Sequence, residues 1–225
     1  MKFLIIKFIL LFFVIQPFVL KAVELDKKIL IVGDSLADGL WLGINNDRDR
    51  IKKENLIIFK GSIQGQTITG MNFFSYIDKV SSYKNDFGPD YIIIFIGAND
   101  QTPNFSSKKV GNFTLENWKS QFKRNAITLI DSLKMKPEKV YWVSLPIMRD
   151  VKTNQDAQII NQILKEIGAE KKINIVDIEK EFTDNAGSFV MALNINNKFM
   201  QIRADDGIHF TTAGYKLISR KLVLH

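Results

Sequence analysis

Two short apolar runs, Ile29–Val32 and Tyr91–Ile96, constrain the fold of this chain most strongly. Each run is continuously apolar rather than alternating, which is typical of strands buried on both faces of a parallel sheet. A polar loop and a stretch with helical spacing of apolar residues follow each run. Because parallel strands need long crossover connections, usually helices, this order predicts an α/β protein.

The alternation of apolar runs and amphipathic stretches continues along the chain and predicts a parallel sheet covered by helices on both faces. No repeat or linker interrupts it, so we expect a single domain over residues 23–225. Residues 189–202 alternate as a small hairpin does, with Asn196-Asn197 near the turn. The predicted strands are 28–33, 55–60, 91–96, 139–144 and 173–177. The first predicted helix ends near residue 47, and the others span 71–83, 115–133, 155–167 and 211–223.

Residues 1–22 have the pattern of a targeting segment. Lys2 and Lys7 give it a positive start, an apolar run covers residues 8–15, and Ala22 ends a plausible cleavage site. We expect a signal peptide that is removed, with an uncleaved N-terminal membrane anchor as the alternative. Either interpretation predicts a periplasmic or secreted domain, and only an uncleaved leader would make the membrane a partner.

The composition excludes several classes of site. The chain has no cysteine, so it has no thiolate nucleophile, disulfide or cysteine metal site. Its formal charge of +7 comes from scattered lysines without an arginine-rich patch, so we expect no nucleic-acid partner. No cluster of metal ligands and no cofactor motif stands out, and we expect neither group. The sequence carries no signal of oligomeric state.

Ser35 stands where the first predicted strand turns into a helix. In open α/β sheets, ligands bind at the carboxyl edge of the strands. The free N–H groups of a helix N-terminus also favour a developing anion there. Capping of the helix by Ser35 or Asp34 is the alternative role, since both residue types are preferred caps, and the two roles are compatible.

A serine attacks a carbonyl only with a base in reach and a third group that orients the base. His209 is the candidate base, because the other histidine, His225, is the last residue of the chain. Asp206 lies three residues before His209, a spacing that brings a carboxylate to the imidazole in a tight turn. A purely structural histidine and turn-forming acids beside Gly207 are the alternatives.

Acyl transfer also needs hydrogen-bond donors for the oxyanion. The Ser35 amide, the Gly65 amide and the Asn99 side chain each follow a predicted strand, so we expect them at the same edge of the sheet. Taken singly, Gly65 is equally explained by a turn and Asn99 by a cap.

Together, four blocks in this order resemble the SGNH (GDSL) hydrolases over about residues 28–220. The resemblance implies a flavodoxin-like three-layer α/β/α sandwich with about five parallel strands. The blocks are Gly33-Asp34-Ser35-Leu36, Gly65, Gly97-Ala98-Asn99-Asp100 and Asp206-Gly207-Ile208-His209.

The resemblance also assigns roles to single residues. It makes Ser35 the nucleophile, His209 the base and Asp206 the acid that orients the base. The oxyanion donors it implies are the Ser35 amide, Gly65 and Asn99. It requires no metal and no organic cofactor.

The remaining matches are less specific. Asp34 and Asp100 fall on motif positions that we assign to bracing the loops. The block around Gly65 departs from the family's pattern, so Gly61 is an alternative to Gly65. The segment 143–149 resembles a secreted bacterial branch of the family. Arg149 at its end is a candidate contact for an anionic or glycan substrate, with a solvated loop arginine as the alternative.

The sequence therefore predicts a serine esterase acting on O-acetyl or other short acyl esters of an envelope glycan or a small ester. An O-acyltransferase of the same fold and a non-catalytic envelope binding protein are the alternatives. A nucleotide binder is disfavoured, since residues 33–35 do not form a phosphate-binding fingerprint. Loops 101–114 and 185–204 are the expected walls of the substrate pocket.

Overall fold

A central sheet of five parallel strands organises the chain, seen in a computed structural model that describes residues 26–102, 114–222 and 224. The predicted targeting segment and most of the predicted pocket wall at 101–114 lie outside the described residues. The strands are β1 Lys27–Gly33, β2 Leu56–Ser62, β3 Tyr91–Phe95, β4 Val140–Val143 and β5 Asn174–Val176. Their order in the sheet is β2-β1-β3-β4-β5, so the predicted flavodoxin-like α/β architecture is confirmed.

Six helices in the described part of the chain cover the sheet. They are α1 Ser35–Asn45, α2 Arg48–Glu54, α3 Phe73–Phe87, α4 Leu115–Leu133, α5 Val151–Lys171 and α6 Thr212–Ser219. Helices α3, α4 and α5 pack side by side, whereas α1 packs against α6. Across residues 26–102, 114–222 and 224, no helix combines the length and the apolar character of a membrane span.

The core lies on both faces of the inner strands. Every residue of β3 is buried, as are Ile29 to Val32 in β1, which confirms the interpretation of the two apolar runs. In β1, Val32 lies opposite Ile94 on one side and Gly61 on the other. The strands therefore end together, and their carboxyl edge receives the loops that carry the candidate site residues.

The predicted helix boundaries differ from the structure at several points. The first predicted helix corresponds to α1 alone, and α2 is not predicted, because it has no buried residue and no apolar periodicity marks it in the sequence. Helices α3 and α5 end later than predicted, at Phe87 and Lys171. Helix α5 starts earlier than predicted because the Asp150 carboxylate caps it, accepting a 2.8 Å hydrogen bond from the Thr153 amide. Helix α6 ends earlier than predicted, at Ser219.

A two-stranded hairpin follows the sheet, as the alternation predicts. Its strands are β6 Ala192–Ile195 and β7 Lys198–Gln201. Asn196 and Asn197 form the turn with φ of 52° and 61°, the left-handed conformation of a type I′ hairpin turn.

Helices α1 and α6 approach each other so closely that only glycine fits on the facing side of α1. A Cβ atom at Gly39 would lie 2.0 Å from Cζ of Tyr215. One at Gly43 would lie 2.6 Å from the Tyr215 backbone carbon and 2.8 Å from the Lys216 amide nitrogen. Since Ser35 begins α1 and His209 shortly precedes α6, this packing sets the distance between them.

We expect Gly43→Ala to lower the free energy of unfolding by about 1–3 kcal/mol, because the added methyl group meets backbone rather than a movable side chain. Chemical denaturation of the variant and the wild type measures this. Helix propensity alone predicts the opposite sign, a gain of about 1 kcal/mol. A more stable variant would therefore contradict the close packing.

Candidate active site

Ser35 is the first residue of α1, directly after β1 at the carboxyl edge of the sheet. Asp34 caps the helix, since its carboxylate accepts a 2.8 Å hydrogen bond from the Leu36 amide. The Ser35 amide is one of the first N–H groups of a helix, which have no carbonyl partner within it. Asp34 therefore caps the helix, one of the roles that the sequence suggests, and the Ser35 hydroxyl is not used as the cap.

The His209 ring joins Ser35 to Asp206. Its Nε2 lies 2.7 Å from Ser35 Oγ, although the two residues are 174 positions apart in the chain. Its Nδ1 lies 2.6 Å from Asp206 Oδ2. The structure therefore brings the three residues assigned by the resemblance into one hydrogen-bonded chain.

The Asp206 carboxylate also fixes the loop that carries the histidine. Its Oδ1 accepts hydrogen bonds from the amides of Ile208 and His209, at 2.8 and 2.9 Å. Partial burial opposes ionisation of Asp206. The bonds from the His209 ring and these two amides outweigh burial and lower the Asp206 pKa to about 2. With Asp206 ionised, the neutral His209 ring carries its proton on Nδ1, toward the carboxylate, which leaves the Nε2 lone pair for the Ser35 hydroxyl.

The Asn99 side chain lies between two residues, Asp34 and Gln66, that are next in the chain to the other two predicted oxyanion donors. Its Nδ2 donates to Asp34 Oδ2 at 3.4 Å and to the Gln66 carbonyl at 3.3 Å. Asp34 precedes Ser35, and Gln66 follows Gly65. The Asn99 amide thus bridges the loop after β1 and the loop after β2 through two long hydrogen bonds.

Gly65 and Gly61 occupy different environments. The Gln66 amide donates to the Ile63 carbonyl at 3.2 Å and closes a turn with Gly65 in third position at φ +72°, a conformation that favours glycine. A Cβ at Gly65 would meet nothing within 4 Å, so its backbone faces open space. Gly61 lies inside β2, where a Cβ would lie 3.2 Å from the Tyr83 ring. Of the two, Gly65 is placed to offer its amide to a ligand.

Two buried carboxylates connect the loops of the site. Asp34 also accepts a 3.2 Å hydrogen bond from the Gly97 amide, and burial raises its pKa to about 7. Asp100 accepts from the amides of Ile68 and Thr69 and from the Thr69 hydroxyl, and burial raises its pKa despite these bonds. Asp34 links the loop after β1 to the loop after β3, and Asp100 links the latter to the loop after β2.

Arg203 is a residue of the site that the sequence does not reveal. It is fully buried, with 0% of its surface exposed. Its guanidinium donates to the carbonyls of Ile147 (2.8 Å), Gly207 (3.1 Å), Ile208 (3.0 Å) and His209 (3.3 Å). Burial lowers its pKa to about 10, so the group stays charged at neutral pH. Arg203 therefore holds the backbone of the loop that carries His209.

The sequence gives no signal for this role. Arg203 follows the hairpin in an alternating stretch, where an arginine is ordinarily exposed. In the structure, the rings of Phe189 and Phe210 lie 4.8 and 4.4 Å from the guanidinium carbon and cover it. Phe189 lies 14 residues before Arg203 and Phe210 seven residues after it, and neither pair lies within one helix or strand whose periodicity the sequence would show.

Arg149 contacts the loop that carries His209 from the solvent-exposed side. Its amide donates to the Gly207 carbonyl at 3.2 Å, and its guanidinium Nη2 donates to the Asp205 carbonyl. Arg149 is exposed, so it is both anchored and accessible to a ligand.

Within residues 26–102, 114–222 and 224, no group of three or more His, Cys, Asp or Glu side chains is arranged to hold a metal ion.

Comparison with known proteins identifies related sequences and folds. Residues 28–225 match the profile of the family DUF459, described as "Protein of unknown function (DUF459)". None of the curated proteins matches the sequence.

Solved structures with the same fold include enzymes. One is a variant of an acetyl xylan esterase from Geobacillus stearothermophilus, with 16% identity over 87% of this chain and 92% of the other, and a TM-score of 0.60. Another is a GDSL-like lipase from Bacteroides thetaiotaomicron, with 18% identity over 86% and 84% of the two chains, and a TM-score of 0.55. At such identities the likeness shows the fold, and it agrees with the resemblance of the sequence blocks.

We expect Arg203→Met to lower the free energy of unfolding by at least about 3 kcal/mol, because it leaves several buried carbonyls without a donor. Arg124→Met is the matched control, since Arg124 is exposed on α4 and should change stability by no more than about 0.5 kcal/mol. Urea denaturation compares the two. A difference below about 1 kcal/mol between them would contradict the bracing role.

Proposed function

Because this chain belongs to the DUF459 family and has the fold of the SGNH hydrolases, we propose that it is a serine esterase that hydrolyses O-acetyl or other short acyl esters. The observation that carries the proposal is the hydrogen-bonded chain from Ser35 Oγ through the His209 ring to Asp206, with contacts of 2.7 and 2.6 Å. A serine, a base and an orienting acid in this arrangement are the requirements for an activated hydroxyl nucleophile.

In the first half of the reaction, His209 Nε2 accepts the proton of Ser35 Oγ as the oxygen attacks the ester carbonyl. The Ser35 and Gly65 amides and Asn99 Nδ2 stabilise the oxyanion. Asn99 exchanges one of its present acceptors, 3.3 and 3.4 Å away, for the substrate oxygen. The imidazolium faces the ionised Asp206 carboxylate and then gives its proton to the departing alcohol. An acyl group remains on Ser35 Oγ.

In the second half, His209 accepts a proton from water, and the hydroxyl oxygen attacks the acyl carbon. The same donors hold the second oxyanion. Collapse of that intermediate releases the carboxylic acid and returns the proton to Ser35 Oγ. Transfer to a sugar hydroxyl instead of water would use the same acyl-enzyme, which is why an acyltransferase is an outcome of the test below.

We place the substrate among short acyl esters of sugars or small alcohols. Among the structures with this fold, the Geobacillus stearothermophilus protein is an acetyl xylan esterase, which supports an acetyl group on a glycan. Residues 1–22 have the pattern of a secretion signal, so we propose an extracytoplasmic location and an envelope glycan as substrate.

We expect Ser35→Ala and His209→Ala to lower kcat/KM for p-nitrophenyl acetate at least about 1,000-fold, because each removes a member of one catalytic unit. Asn99→Ala should lower kcat about 100- to 1,000-fold through loss of an oxyanion donor. Steady-state release of p-nitrophenolate measures all three. Ser75→Ala, at an exposed serine on α3, is the control and should keep wild-type rates.

The esterase proposal fails if the wild type does not accelerate hydrolysis, or if Ser35→Ala retains its activity. A wild type that is inactive in water but acetylates an added oligosaccharide would identify an acyltransferase. Inactivity with both acceptors would leave a binding protein as the remaining function.

A further inference from the structure

Arg149 extends over the loop that carries the proposed base. A Cβ atom at Gly207 would lie 2.5 Å from Arg149 Cβ and 2.7 Å from its Nε, and Gly207 has φ +76°. Only glycine fits both this contact and this backbone conformation. Gly207 stands between Asp206 and His209, so the Arg149 side chain is built onto the surface of the active-site loop.

The Arg149 guanidinium is held in place by contacts that leave some of its hydrogen-bond donors unused. Its Nη2 donates to the Asp205 carbonyl and lies 3.7 Å from Met191 Sδ, and its Cζ lies 5.4 Å from the Phe189 ring centre. Its Nε and Nη1 make no hydrogen bond to the described residues. An exposed guanidinium that is already ordered loses little entropy when it binds an anion.

No carboxylate in the described part of the chain forms an ion pair with this group. Among residues 26–102, 114–222 and 224, no acidic oxygen lies within the 4.0 Å of an ion pair with Arg149. Of the acids beside it, Asp150 accepts from Thr153 at 2.8 and 2.9 Å, Asp206 holds His209, and Asp205 contacts Arg149 through its backbone carbonyl. The buried Arg203, which shares the Phe189 ring with Arg149, binds carbonyl oxygens instead of an acid.

The position of Arg149 indicates which part of an ester it would meet. The proposed mechanism places the acyl oxygen toward Asn99 and Gly65, and the departing alcohol toward His209 Nε2, which protonates it. Arg149 is anchored on the loop of His209 and not on the loops of Asn99 or Gly65. Arg149 therefore lies on the side of the site that receives the alcohol part of the ester.

We propose that Arg149 binds an anionic group on the alcohol part of the substrate, so that the preferred substrate is an acyl ester of an acidic sugar. This inference rests on the proposed esterase activity. An exposed planar guanidinium with free donors on Nε and Nη1 matches a sugar carboxylate, to which it donates charge-assisted hydrogen bonds. Gly207 leaves space for the guanidinium beside the base, and Asp205 and Phe189 orient it.

The test compares two acetate esters that differ by one carboxylate, acetylated methyl glucuronoside and acetylated methyl glucoside. We expect the wild type to prefer the glucuronoside at least about 10-fold in kcat/KM, mainly through KM, and the preference to shrink with added salt. Arg149→Gln should reduce the ratio to near one. Arg149→Lys, which keeps the charge but not the planar fork, should retain part of it. Arg124→Gln, an exposed arginine on α4, is the control and should leave the ratio unchanged.

A wild type without preference, or a preference that survives in Arg149→Gln, overturns the inference while the esterase proposal stands. Equal losses on both esters in Arg149→Gln, with the ratio kept, would indicate a purely structural role and also overturn it. If neither ester is hydrolysed, calorimetry with methyl glucuronoside and methyl glucoside decides. Binding of the glucuronoside alone, lost in Arg149→Gln, supports the anion site without the esterase, and absence of such binding rejects it.

Discussion

The close packing of α1 against α6 is the constraint on which the candidate site depends. Ser35 and His209 are 174 residues apart, and the 2.7 Å contact between their side chains forms only if the two helices approach each other. Gly39 and Gly43 allow this approach because any side chain there would overlap Tyr215. The separation of the helices therefore bears directly on the hydrogen bond between the serine and the imidazole, because such a bond exists only below about 3.5 Å.

Buried polar groups fix the positions of the loops that carry the site residues. Asp34, Asp100 and Arg203 each bind several backbone groups, and each carries a charge or a proton where water is excluded. Burial of a charge has a large desolvation cost, but removal of one of these groups is also costly, because it leaves the buried backbone groups that it binds without a partner. Their value lies in geometry, since a reactive constellation must be fixed to within about 0.5 Å by its supporting shell. Arg203 does this for the base, and Asp34 and Asp100 do it for the loops around Asn99.

Much of the architecture is present in local sequence patterns. Uninterrupted apolar runs identify the buried strands, and paired asparagines identify the hairpin turn, because both depend on neighbouring residues only. Helix α2 is not predicted, since it buries no side chain and has no periodicity. The start of α5 is set by the cap at Asp150, a single side-chain contact.

Some residues of the candidate site are likewise predicted from local sequence, and others are found only in the structure. The positions of Ser35, Asp206 and His209 are predicted because the blocks around them have a fixed order and spacing. The choice between Gly65 and Gly61 needs the structure, which places Gly61 inside a strand and Gly65 at a turn. Arg203 is recognised only in three dimensions, since its partners come from three separate segments of the chain.

Covalent labelling with a fluorophosphonate, followed by peptide mass spectrometry, tests the central claim most directly. The reagent modifies a serine only where a base activates it and donors stabilise the charged adduct. The account predicts one adduct per chain, located on Ser35, and its loss in His209→Ala. Absence of labelling, an adduct on another serine, or labelling of Ser35 that persists without His209 would contradict it.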